Sequence, residues 1–184
     1  MTPLAPAERA ALLGLARAAV RHHLGLGSPP PLPEGGALGE PRGAFVTLHV
    51  RGTLRGCVGS FTPRGSLART VAAMAVEAAT RDPRFPPLAA EELDDVDLHI
   101  SALGPLLVLA RPEQLVVGRH GLVVRRGWYR GALLPHVARD AGWDARTFLE
   151  RTCLKAGLPP SAWREADAVV EAFEAEEFGV AEPG

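Results

Sequence analysis

Two runs of alternating apolar and polar residues, Ala44 to Val50 and Leu54 to Phe61, are separated only by Arg51-Gly52-Thr53. Alternation with period two reads as a half-buried strand. A gap of two or three residues is too short for a crossover, so the two runs must pair antiparallel as a β-hairpin. Two registers compete for it. A three-residue loop gathers Val46, Leu48 and Val50 with Leu54, Gly56 and Val58 on one face, leaving Arg55 and Cys57 on the other beside Thr47 and His49. A two-residue Arg51-Gly52 turn moves Cys57 to the face of Val46 and Leu48, because a slip of one residue exchanges faces. The three-residue loop keeps the apolar residues together and is the expected register. In either, Arg55 and Cys57 share a face.

The segments flanking the hairpin have a helical period. Leu12, Leu15, Ala16, Ala19, Val20 and Leu24 form one stripe over residues 6–24, with Pro6 suited to the first helical position. Ser66 reads as the N-cap of a helix reaching about Thr80, ended by Asp82-Pro83-Arg84-Phe85-Pro86-Pro87. Between the first helix and the hairpin, Pro29, Pro30, Pro31 and Pro33 rule out helix and central strand, which leaves a surface loop. Further on, Val96 to Leu103 alternates as a strand, and residues 115–134 read as short valine-rich strands joined by turns, a small β lobe. Pro135 to Ala141 and Ala145 to Ala156 read as helices, the second capped by Asp144, and Ala168 to Phe178 as a closing strand, although its Ala and Glu content would also suit a helix.

Chemistry concentrates at Leu54-Arg55-Gly56-Cys57-Val58-Gly59. Gly56 and Gly59 lack side-chain bulk, so a ligand can approach backbone and sulfur together. An arginine two positions from a thiol favours the thiolate and offers an anion contact. The alternative is a strand cysteine acting as a small hydrophobe. Other candidates are Glu77 beside the inner stripe of its helix, Asp82 and Arg84 as a local pair or cleft lining, and His120 on a loop tip within Gly118-Arg119-His120-Gly121. Cys153 falls on the apolar side of its helix and reads as core.

The bounds on function are broad. With 184 residues, 47% of them apolar, the chain is long enough for one domain carrying a smaller lobe. No apolar run approaches the ~20 residues a membrane helix needs. Pro3, Pro6 and Glu8 interrupt the order of a secretory signal, so a cytoplasmic location is expected. Cys57 and Cys153 belong to no paired-ligand spacing, so both thiols are expected reduced and no preformed metal site is expected, although Cys57, His49 and His120 could converge in space. The formal net charge of −1 and the lack of a basic run argue against a nucleic-acid partner.

Several of these stretches, taken in order, resemble the AMMECR domain family: Leu54-Arg55-Gly56-Cys57-Val58-Gly59, Asp82-Pro83-Arg84-Phe85-Pro86-Pro87, His120-Gly121, Leu133-Leu134-Pro135, Gly142-Trp143-Asp144 and Leu154-Lys155-Ala156-Gly157. The resemblance runs from about residue 7 to 178. It implies an α+β fold, an antiparallel β-sheet packed with helices plus a small β-rich lobe from the middle of the chain. The larger lobe is expected over residues 1–104 and 141–184 and the smaller over 105–140, with a cleft between them near Cys57. His136 stands where the family more often has glutamine or glutamate, which alters the hydrogen-bond pattern if that position meets a substrate.

The resemblance names no settled activity and no cofactor. It implies an association, because such domains in bacteria and archaea resemble those that accompany a radical SAM protein and a Memo-like protein. Two expectations follow. One is an enzyme acting on a small anionic or metabolite substrate in the inter-lobe cleft, with Cys57 as nucleophile or redox thiol, His120 transferring a proton, and Arg55, Gly56, Gly59, Arg84, Glu77 and His136 at the binding site. The other is a non-catalytic scaffold for the radical SAM or Memo-like partner, with the hexapeptide as a groove floor.

Overall fold

The computed structural model describes residues 2–111 and 114–179. It is an α+β protein of four α-helices and seven strands within those residues. The chain divides into two compact units, residues 1–103 with 176–184 and residues 104–175.

In the first unit, β1 (Ala44–Val50) lies between β2 (Thr53–Ser60) and β3 (Val96–Leu103), antiparallel to both. Helices α1 (Pro6–His23) and α2 (Leu67–Thr80) pack together, α2 against β1 and β2 and α1 against β3. The helices cover one sheet face, where Val46, Leu48, Leu98 and Ile100 are buried with Leu12, Val20, Val71 and Met74. Strand alternation therefore turns Thr47, His49, His99 and Cys57 to the other face. Ser66 caps α2, its Oγ accepting the Arg69 N–H.

The hairpin resolves its two candidate registers by using both. Val46 pairs with Val58, Thr47 with Cys57 and Leu48 with Gly56, as the three-residue loop requires, yet His49 pairs with Leu54 and Val50 with Thr53, as a two-residue turn requires. Arg55 is the extra residue, a β-bulge that absorbs the difference. The turn has φ of 52° at Arg51 and 74° at Gly52, positive at both central positions as the hairpin-matching type I′ turn demands. Arg51, the non-glycine residue held there, is tied by its guanidinium to Asp95 at 2.7 Å. Apolar pairing sets the body of the hairpin and turn chemistry sets its tip. The bulge also takes Arg55 out of the simple alternation that would leave it level with Cys57.

In the second unit, β5 (His120–Arg126) pairs with β6 (Tyr129–Leu133) and with the start of β7 (Val169–Gly179), which also pairs with the short β4 (Leu107–Val108). Helices α3 (Pro135–Asp140) and α4 (Ala145–Lys155) bury Ala138, Phe148, Leu149 and Cys153 against Leu122, Val124 and Ala172. This core carries the unit through α4 and most of β7: Phe148 and Leu149 face the valine-rich strands and need them for burial. Residues 115–117 form no strand, because the Val116 carbonyl turns back to accept from the Arg119 and His120 N–H groups.

The end of β7 belongs to the first unit. There Glu176 accepts the Leu4 N–H and pairs with Arg42 and Arg9, while buried Arg42 also donates to the Ala102 and Leu103 carbonyls. A buried cation so placed ties the end of β3 to the end of β7. No helix among the described residues is long and apolar enough to cross a membrane.

Candidate functional site around Cys57

Cys57 is half-buried on β2, an edge strand of the first unit's sheet, with its thiol free. The neighbouring glycines serve two different purposes. A Cβ on Gly56 would stand 2.1 Å from the Ala78 carbonyl oxygen, so its bareness lets α2 lie directly on β2. A Cβ on Gly59 would stand 2.1 Å from the Phe45 ring, its cross-strand partner, so the aromatic side chain covers it. Gly56 is thus required by helix packing from the face opposite the thiol. The sulfur accepts a hydrogen bond from the Thr47 hydroxyl at 3.2 Å.

The edge of β2 is closed by a carboxylate. Asp82, whose side chain is 3% exposed, accepts the Cys57 N–H at 2.8 Å, the Arg84 N–H at 3.1 Å, and the Arg84 guanidinium at 2.9 and 2.6 Å. An edge N–H that would otherwise face solvent or another strand is therefore satisfied within the chain. The hydrogen bonds from Arg84, joined by the Cys57 N–H and outweighing burial, hold the Asp82 carboxyl well below the usual carboxylate range. Arg84 is raised in turn by its bond to Asp82. Arg84 remains 54% exposed and stacks on Phe85 at 5.4 Å. It is a solvent-facing cation on the carboxylate that also takes the Cys57 N–H.

Arg55 is committed elsewhere. Its Nε and one terminal nitrogen hold Glu92 at 2.8 and 2.9 Å, and its guanidinium donates to the Pro86 and Pro87 carbonyls at 2.8 and 3.3 Å. This pairing raises Arg55 and lowers Glu92 from their ordinary values. The planar fork clamps the proline-rich loop that carries Asp82 and Arg84 onto the bulge. Arg55→Lys is expected to behave nearly as poorly as Arg55→Ala, with about 1–2 kcal/mol lost in either, because an ammonium cannot reach a carboxylate edge and two carbonyls together. Urea denaturation of both variants checks it.

Glu77 pairs with Arg64 at 2.7 Å, an arginine nearby in sequence that it orients at the end of the Ser60–Gly65 connection. His120 and His136 lie in the second unit. His120 opens β5, opposite Glu174, because the β7 ladder extends that far. Its Nδ1 accepts the Val116 N–H at 3.1 Å, so in the neutral ring Nε2 carries the proton. His136 is half-buried in the first turn of α3. Cys153 is fully buried, and burial pushes its thiol up. Among the described residues no group of three or more His, Cys, Asp and Glu side chains is arranged to hold a metal ion.

Sequence reasoning singled out Cys57 and Arg84 but missed Thr47, Asp82 as a backbone partner, and Glu92. Thr47 was legible as the residue level with Cys57 in the expected register. Glu92 carried no signal, because an acidic surface turn is common and its partner is 37 residues away.

Comparison with other proteins places the chain among archaeal relatives. A family model described as AMMECR1 matches residues 13–178. A protein of Methanothermobacter thermautotrophicus is 44% identical, with 96% of each chain covered, and one of Aeropyrum pernix is 42% identical over 96% of this chain and 80% of its own. The crystal structure of the uncharacterized protein PH0010 from Pyrococcus horikoshii superposes with a TM-score of 0.85 at 39% identity, covering 94% of this chain and 91% of that one.

Proposed function

The chain belongs to the AMMECR1 family, and from that premise we propose that it is an enzyme whose working group is the Cys57 thiol, with Arg84 docking an anionic group of a small substrate beside it. The observation that carries this reading is the shared carboxylate: Asp82 holds the Cys57 backbone and the Arg84 guanidinium together. A thiolate nucleophile and a cation at a fixed separation suit a substrate bearing an electrophilic carbon and a carboxylate or phosphate. Arg84 spends two guanidinium nitrogens on Asp82 and is still half exposed, so it has donor capacity left for a ligand oxygen.

Pulse alkylation of the native protein by iodoacetamide, read by mass, tests this. Cys57 is expected to react at pH 7 about tenfold faster than cysteine in the same chain unfolded in urea. Arg84→Ala is expected to remove most of that advantage, and Cys153 is expected to stay unlabelled until unfolding. Labelling of Cys57 at the unfolded rate, or slower, would sink the catalytic reading.

A further inference from the structure

The sheet face turned away from the helices carries a row that crosses three strands. Cys57 on β2 pairs with Thr47 on β1, and Thr47 pairs with His99 on β3. Directly opposed residues have Cβ atoms about 4.5–5.5 Å apart, so the three side chains stand in line. All three are half-buried, which limits solvent competition without sealing the row. The first link is formed, with the Thr47 hydroxyl on the Cys57 sulfur at 3.2 Å. His99 is oriented by two neighbours. Its ring meets that of His49 edge-on at 5.2 Å between centroids, and it lies over Gly179, where a Cβ would come within 2.3 Å of Nδ1.

Resting on the reading of Cys57 as the working thiol, we infer that His99 is the base that takes its proton, acting through Thr47 as a positioning residue. The Sγ–H proton passes to Thr47 Oγ1 as the hydroxyl proton passes to a His99 ring nitrogen. The products are a thiolate and an imidazolium, with one O–H bond broken and one formed at Thr47 and no other reactant consumed. The observed bond, in which Thr47 donates to sulfur, has the direction this product state requires. The charged or titratable groups facing the row are His49 on β1, Asp97 on β3, Glu177 on β7 by strand alternation, Arg55 on the bulge of β2, and Asp82 with Arg84 from the loop beside β2.

The experiment is the rate of Cys57 alkylation against pH in the wild type, Thr47→Val, Thr47→Ser, His99→Gln and the Val/Gln double variant. At pH 7, Thr47→Val and His99→Gln are each expected to slow labelling about fivefold to tenfold, the size of a charge-assisted hydrogen bond. Thr47→Ser is expected within about twofold of the wild type. Because both substitutions break one relay, the double variant should be no slower than the slower single one. Above pH 10, where hydroxide in solution takes the proton of an accessible thiol without the relay, all rates should converge. Valine matches threonine in shape, and silence of Cys153 reports that each variant remains folded. Equal rates for Thr47→Val and the wild type at pH 7, losses that multiply, or a loss persisting above pH 10 would overturn the relay. These are differences between variants, whereas the catalytic reading stands on the absolute wild-type rate, so either can fail while the other holds.

Discussion

Gly56→Ala is expected to destabilise the first unit by about 3 kcal/mol or more, the upper end of what overpacking costs, and to be the most damaging single methyl that could be added around Cys57. The new Cβ would sit 2.1 Å from the Ala78 oxygen and 3.1 Å from its carbonyl carbon, atoms of helix backbone rather than a side chain that can swing aside. Relief requires α2 to lift from β2, which opens Val58, Val71 and Met74 to water. Gly59→Ala makes the informative control. Its clash is with the Phe45 ring, a side chain with rotamer freedom, so a smaller loss is expected. Urea denaturation, with hydrogen exchange read at the β2 and α2 amides, distinguishes the two. Equal losses would mean that α2 is not held down on the strand.

Asp82→Ala is expected to cost about 3 kcal/mol, because it strands a Cys57 N–H on the sheet edge and an arginine that had two bonds to the same carboxylate. Arg84 is half exposed and rehydrates, which keeps the figure below that of a fully buried pair. The pH dependence has a definite sign. The carboxyl is depressed in the folded state, so its contribution is complete above the unfolded value of about 3.9 and is lost as pH falls from there toward the folded value. The wild type should lose stability between pH 5 and about pH 2 more steeply than Asp82→Asn, whose amide does not titrate. Parallel acid limbs for the two proteins would assign the depressed carboxylate elsewhere. Asp82→Asn should also disturb Cys57 alkylation, since the same side chain sets the position of Arg84.

The two effects bear on one design. The thiol is fixed from below by helix packing through a bare Gly56, from the side by a carboxylate on its own N–H, and across the sheet by a hydroxyl on its sulfur. Each constraint comes from a different element, so the sulfur's position depends on the whole first unit rather than on the hexapeptide.

The elements of this fold were written into local pattern. Period two over residues 44–61, the helical stripes of residues 6–24 and 66–80, the Ser66 and Asp144 caps and the glycine-bearing turns depend on neighbours a few residues away, and one chain carries that information whole. The residues of chemical interest were legible for the same reason, as a thiol and an arginine set among glycines. Tertiary structure alone decided what those residues touch. Apolar pairing favours one hairpin register and turn chemistry the other, and the two were reconciled by a bulge at Arg55 that neither register contains. Once Arg55 was displaced, its guanidinium met Glu92 and two proline carbonyls, while Asp82, 25 residues from Cys57, brought Arg84 to the thiol instead. Such pairings depend on how a loop closes over a strand edge, and loop closure costs nearly the same for many partners. Only the packed structure, where one arrangement gives the Cys57 N–H, Arg55 and Arg84 their partners together, selects among them.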